Sequence, residues 1–172
     1  MAARDIMPFI SNQNSHRQDG LADAAATFLV GEPVQIEADG QIIEAATQPI
    51  IDGDPPGAVG IAAVSAASIT VVQGTLTNQH VPYYPFDYET EWVSRNLFSG
   101  SDTLVVPLAT HVGDAVSLRR TAGDVWGFDI AGAATTESFV ILRVLNTDGR
   151  DLGRSGGTGV TVIAKRTRFD AV

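Results

Sequence analysis

From Phe28 onward the chain is cut into short runs of β-forming residues by Gly, Asp, Asn and Pro, and no stretch sustains a helical period. That punctuation leaves little room for a helical bundle or an alternating α/β fold. It predicts a mainly β protein, an antiparallel β-barrel or sandwich, with an extended N-terminal arm. The clearest local element is a hairpin in which Pro33 to Ala38 and Gln41 to Ala46 flank Asp39-Gly40, since glycine accepts the positive φ that a tight turn requires. A turn cluster follows at Asp52 to Gly57. Further strands are expected at Val59 to Val64, Ser68 to Leu76, Thr103 to Ala109, Ala115 to Arg120, Val125 to Ile130, Ser138 to Leu145 and Gly159 to Arg168.

Two regions stand apart from this pattern. Residues 1 to 27 carry only a brief apolar cluster, Ile6 to Ile10, and a possible helical turn at Ala22 to Thr27 too short to be stable alone, so they are read as an arm preceding a β-rich domain of residues 28 to 172. Residues 78 to 100 form an aromatic, proline-punctuated insertion. A faint internal echo links Val30-Gly31-Glu32-Pro33-Val34 with Val112-Gly113-Asp114-Ala115-Val116, each a glycine and an acid before an alternating run, and is explained by either turn chemistry or duplication.

Composition restricts the chemistry. Among 172 residues there is no cysteine, which excludes disulfides, thiolate metal ligands and cysteine nucleophiles. No run reaches the roughly 18 consecutive apolar residues of a membrane span, and the N-terminus lacks the apolar core of a signal peptide, so the expectation is synthesis in the cytoplasm without membrane insertion. The net charge of −9 is unevenly distributed: from Gln18 to Ser94 there are eleven acids and no Lys or Arg, whereas from Arg95 onward nine bases face eight acids. A chain this acidic is poorly suited to phosphate contacts, so no nucleic-acid partner is expected. Its cations are nearly all Arg, the cation best suited to buried contacts between surfaces.

The candidate chemical motifs each have a simpler explanation. Gly153-Arg154-Ser155-Gly156-Gly157 fits G-x-S-x-G, but a nucleophile elbow must turn a strand into a helix, and here a strand-like run follows. The same loop resembles the phosphate-cradling motif of trimeric dUTP pyrophosphatases, without that family's aspartate motif or uracil hairpin upstream. Asn146, Asp148 and Asp151, and separately Asp52 and Asp54, are oxygen-rich turns lacking the full ligand set of a calcium loop. His16, His80 and His111 have no metal-pair spacing. The expectation is a non-enzyme with no cofactor and no metal.

The segment Val81 to Trp92 contains every tyrosine and one of the two tryptophans. It either packs back over its own core, contacts a partner or a second subunit, or stacks on a glycan. The residues assigned to partner contact are Phe9 and Ile10 of the arm, Tyr83, Tyr84, Phe86, Tyr88 and Trp92 of the aromatic segment, and Arg95, Arg119 and Arg120 of the arginine-bearing half.

The order Phe28-Leu29-Val30-Gly31-Glu32-Pro33-Val34, then Gly40-Gln41-Ile42-Ile43-Glu44-Ala45-Ala46, then Ala58-Val59-Gly60-Ile61-Ala62-Ala63 resembles the head decoration, or capsid cement, proteins of tailed bacteriophages. The likeness covers a quarter to a third of the chain, and the aromatic insertion and second half do not align with it. It implies a virion protein on the outer capsid surface, commonly a homotrimer, whose partners are the major capsid protein and itself. A tail or fibre-associated domain that binds a receptor or glycan is the alternative.

Overall fold

In a computed structural model the described residues are 6–8 (backbone only), 17–46, 49, 57–131, 139–153 and 156–167. The protein is mainly β. Five strands, β2 (Gln18–Ala22), β3 (Pro33–Ile36), β4 (Gln41–Glu44), β5 (Gly60–Ala62) and β6 (His80–Pro85), close into a barrel in the order β2-β4-β3-β5-β6. The remaining strands form a seven-stranded sheet. They are β1 (Ile6–Pro8), β7 (Glu91–Ser94), β8 (Leu97–Phe98), β9 (Ala115–Arg120), β10 (Trp126–Asp129), β11 (Phe139–Leu145) and β12 (Thr161–Arg166), ordered β1-β7-β12-β11-β9-β10-β8. Pairing is antiparallel except between β2 and β4 and between β8 and β10.

The expected hairpin is present: Val34, Gln35 and Ile36 face Glu44, Ile43 and Ile42 across the turn, and Gly40 adopts φ 85°. The strand segment Gln18–Ala22 falls inside the span read as an arm. It is a stave of the barrel, paired from Gln18↔Tyr83 to Leu21↔His80, and its sequence QDGLA gave no signal because polar residues and a glycine fill positions that tertiary pairing makes extended. Gly20 is there because a Cβ would run into the Ile42 side chain inside the barrel.

Two of the expected strands are corrected. Ser68 to Leu76 belongs mostly to a helix, α1 (Ala66–Gln73), although its Ile-Thr-Val-Val run favours a strand by propensity. Tertiary context decides: the Ser65 hydroxyl accepts from the Ser68 amide, the Ala66 amide donates to the Phe28 carbonyl, and Ala66 and Ile69, three apart, bury one helical face against the barrel. Thr103 to Ala109 makes isolated bridges at Leu104 and Leu108 and then a short 3-10 turn, Ala109–His111, in place of a regular strand. Conversely, the aromatic segment contributes β6, β7 and β8. The expected strand Ser138 to Leu145 is β11 over its described part, and Asp52 and Asp54 lie outside the described residues.

Two buried clusters hold the molecule together. Inside the barrel, Ala22, Phe28, Val34, Ile42, Val81 and Tyr83 meet Ala66 and Ile69 of α1. The larger cluster is built on the sheet from Trp92, Leu118, Trp126, Phe128, Phe139 and Ile141, and it also takes in Ala45, Ala58, Ile61 and Phe86 from the barrel side. Barrel and sheet therefore share a core. Strand β5 lies at that seam, with Ile61 in one cluster and Ala62 in the other, which is why it reads as uninterrupted apolar sequence.

Gly60 is the tightest point of the seam. A Cβ there would press on the carbonyl of Tyr84 and lie 2.6 Å from Tyr83 Cδ2. Because backbone must shift to relieve that overlap, Gly60→Ala should cost roughly 1–3 kcal/mol, measured as a lower urea midpoint.

Candidate interaction surfaces

The structure separates the residues assigned to partner contact into several environments. Trp92 is fully buried, with its ring edge-to-face against Phe86 at 4.9 Å between centroids, and Phe86 meets Phe139 in the same manner at 5.5 Å. Tyr83 is also buried, and its hydroxyl donates to Gln18 Oε1 at 2.9 Å. These three are core residues of this chain, which corrects their assignment to a partner surface. The reason is alternation: β6 and β7 send successive side chains to opposite faces, so Val81, Tyr83, Trp92 and Ser94 go inward.

Tyr84 and Tyr88 are half-buried, and each is faced by an arginine, Arg17 at 6.0 Å from the Tyr84 centroid and Arg166 at 4.6 Å from that of Tyr88. Arg166 also donates to the Phe86 carbonyl. Arg119 and Arg120 are engaged within the chain: Arg119 binds Asp129 at 3.1 Å and approaches Asp102 at 4.0 Å, and Arg120 binds Asp124 at 2.8 Å. Arg95 is exposed and has no ion pair among the described residues. Phe9 and Ile10 lie outside the described residues.

Burial raises the Tyr83 pKa above its ordinary value, and the nearby Asp19 carboxylate adds to the effect. The folded state therefore favours the neutral phenol. Its stabilising contribution is complete below the ordinary tyrosine pKa near 10 and is lost as the pH rises through the higher folded value. Denaturation of the wild type and Tyr83→Phe should consequently show a stability difference that shifts in favour of Phe only above about pH 10.

The motif-bearing loops show turn chemistry. Asn146 Oδ1 accepts from the amides of Asp148 and Arg150 at 3.0 and 2.9 Å, and Asp151 Oδ1 accepts from Gly153 at 2.9 Å. Arg154 and Ser155 of the G-x-S-x-G match lie outside the described residues. His111 Nδ1 accepts from the Leu108 amide at 3.1 Å, closing a local turn, and His80 is exposed. Asp23, Glu37 and Asp39 bring carboxylate oxygens within 4.8 Å of one another at the mouth of the first hairpin, a grouping their sequence spacing did not reveal. Two of these acids already serve the backbone, Asp23 accepting from Ala25 and Asp39 from Gln41.

What sequence reading missed is a pair of apolar surfaces. On α1, Val71 and Val72 are 86% and 76% exposed. Beside them runs an open groove of about 380 Å³ between α1 and β6, lined by Val64, Ile69, Val72, Gln79 and Pro82. On the opposite half, the extended segment 104–108 exposes Leu104, Val106 and Leu108, with Val160 next to it. Hydrophobicity alone could not flag these positions, because the same residue types fill the core. No family model, no curated protein and no solved structure matches this chain.

Proposed function

We propose that this chain is a structural, non-enzymatic protein of a tailed-phage virion that attaches to the outer surface of the assembled capsid and bridges neighbouring subunits. One observation carries the reading. The three sequence segments that resemble capsid decoration proteins lead into β3, β4 and β5, which are hydrogen-bonded neighbours in the closed barrel. The resemblance thus falls on one contiguous structural unit and not on scattered turns. A binding role also suits the apolar side chains that both halves expose. The alternative, a tail or fibre-associated domain that binds a receptor or glycan through the Tyr83 to Trp92 segment, is less well supported because Tyr83, Phe86 and Trp92 are buried in the core.

The test is co-sedimentation with purified heads of a phage that encodes the protein, stripped of it beforehand. Saturable binding to assembled heads, without binding to unassembled capsid protein, is the expected result, and no binding to heads would sink the reading. An arm deletion should stop before β2: removing residues 2–16, which takes away the edge strand β1 but no stave of the barrel, is expected to weaken attachment about tenfold or more while cooperative thermal unfolding is retained. Unchanged occupancy would take the arm out of the mechanism.

A further inference from the structure

We infer that the chain is one five-stranded barrel repeated in tandem, with the first copy in residues 18–85 and the second in residues 91–166, where β7 and β8 are two parts of a single strand that closes the second ring. The repeat does not depend on the capsid reading.

The second copy follows the first strand for strand. In the barrel, β3 pairs antiparallel with β4 and β5, β5 pairs antiparallel with β6, and β2 runs parallel to β4. In the sheet, β9 pairs antiparallel with β10 and β11, β11 pairs antiparallel with β12, and β8 runs parallel to β10. The entry to β3 and to β9 is fixed by the same two hydrogen bonds. The Gly31 amide donates to the Ala62 carbonyl and the Ala62 amide to the Glu32 carbonyl; likewise Gly113 donates to Ile141 and Ile141 to Asp114. The registers agree as well. Val34 faces Gly60, and two residues further Ala62 faces Tyr83, which faces Gln18. Val116 faces Phe139, and two residues further Ile141 faces Ala164, which faces Trp92. On the other side, Ile36 faces Ile42, which faces Ala22, and Leu118 faces Phe128, which faces Leu97. Turn chemistry explains a shared Gly-acid entry, but it does not choose distant strand partners or their register.

Strand β2 alone meets both β6 and β4. Its counterparts are β7, which meets β12, and β8, which meets β10, and only Arg95-Asn96 separates them. Gln18 and Ala22 are four positions apart, and Trp92 and Leu97 are five, so the second strand carries one extra residue, as a bulge does. The bend is held locally: the Asn96 amide donates to Ser94 Oγ at 3.1 Å, Asn96 Nδ2 to the Trp126 carbonyl at 2.8 Å, and the Phe128 amide to the Asn96 carbonyl at 3.1 Å, while Arg95 is exposed. Apart from β1, the two ends of the sheet therefore meet, and the second half is a ring like the first. Equivalent positions fill both interiors, Ala22, Val34, Ile42 and Val81 in one and Leu97, Val116, Phe128 and Val162 in the other, all fully buried. The copies have diverged in charge. The first span holds eight acids and no Lys or Arg, whereas the second holds eight of each.

Insertion of Gly-Gly-Ser at three places, read by urea unfolding, tests the repeat. Between Gly20 and Leu21 it interrupts β2, and between Asp148 and Gly149 it only lengthens an exposed hairpin tip. The third, between Arg95 and Asn96, is expected to behave like the first, lowering the midpoint by on the order of 1 M or more, with the tip insertion near wild type. If the Arg95-Asn96 insertion unfolds with the tip insertion, the segment is a loop joining opposite edges of an open sheet and the inference is overturned. Deleting Arg95 keeps the test decisive should an insertion abolish folding, because it gives Trp92 and Leu97 the spacing of Gln18 and Ala22. The deletion should retain a cooperative transition with a smaller midpoint loss than the insertion at the same place, and the reverse order would also overturn the repeat.

Discussion

Trp92→Ala is expected to destabilise the protein by about 3–5 kcal/mol, enough to lower the urea midpoint by on the order of 2 M. Trp92 is fully buried where β7 passes between β1 and β12, and its ring contacts Phe86 edge-on, which in turn contacts Phe139. Truncation therefore removes a large apolar side chain together with its aromatic contact to Phe86, and the surrounding strands are too constrained to collapse into the space. A surface aromatic would behave differently, with a change near zero in stability and a large one in binding. Arg95→Ala supplies the comparison, since an exposed side chain with no ion pair among the described residues should stay within about 0.5 kcal/mol of wild type. If Trp92→Ala unfolds at the wild-type urea concentration, the shared barrel–sheet core is wrong.

Arg119→Met should cost about 3–5 kcal/mol, because it leaves a buried carboxylate without its cation. Asp129 is fully buried at the end of β10. One of its oxygens accepts from the Gly100 and Ala131 amides at 2.7 and 2.9 Å, and the other accepts from Arg119 at 3.1 Å. The same carboxylate thus holds the chain at Gly100, a few residues before the exposed segment 104–108, so its loss should loosen that surface as well as the core. A double-mutant cycle with Asp129→Asn checks the assignment, and a coupling energy of about 0.5–3 kcal/mol is expected. Additive effects would mean that Asp129 is held by the two amides without help from the arginine.

The pair was only half visible in sequence. Arg119 stood out as one of few cations, yet nothing in the order of residues indicated that Asp129, ten positions on, would be its buried partner rather than a solvent-exposed turn acid. The register Gly127↔Arg119 and Asp129↔Ser117 across β9 and β10 makes that contact. The echo between the two halves was legible for a physical reason: Gly31 and Gly113 both take positive φ, at 89° and 98°, and both lead into a strand that begins a hairpin. Glu32 caps the turn, its carboxylate accepting from the Leu29 amide at 2.7 Å. The aromatic segment was legible as important, and packing over its own core was one of three readings that sequence left open; burial of Tyr83, Phe86 and Trp92 selects it for those residues. Its prolines argued for a loop, whereas Pro82 and Pro85 are accommodated within β6 of the small barrel.

Turn chemistry and composition, both local properties, are what the sequence by itself determined: a mainly β chain, the hairpin at Asp39-Gly40, the strand entries at Gly31 and Gly113, and an acidic half followed by an arginine-bearing one. Only the tertiary structure decided that Gln18–Ala22 closes a barrel, that a Val-rich run winds into α1, and that Trp92 faces inward while Val71, Val106 and Arg95 face out. Those outcomes depend on pairing between residues distant in the chain. A β-branched residue carries the same propensity on either face of a strand, and only the register of its neighbours determines whether it meets the core or the solvent.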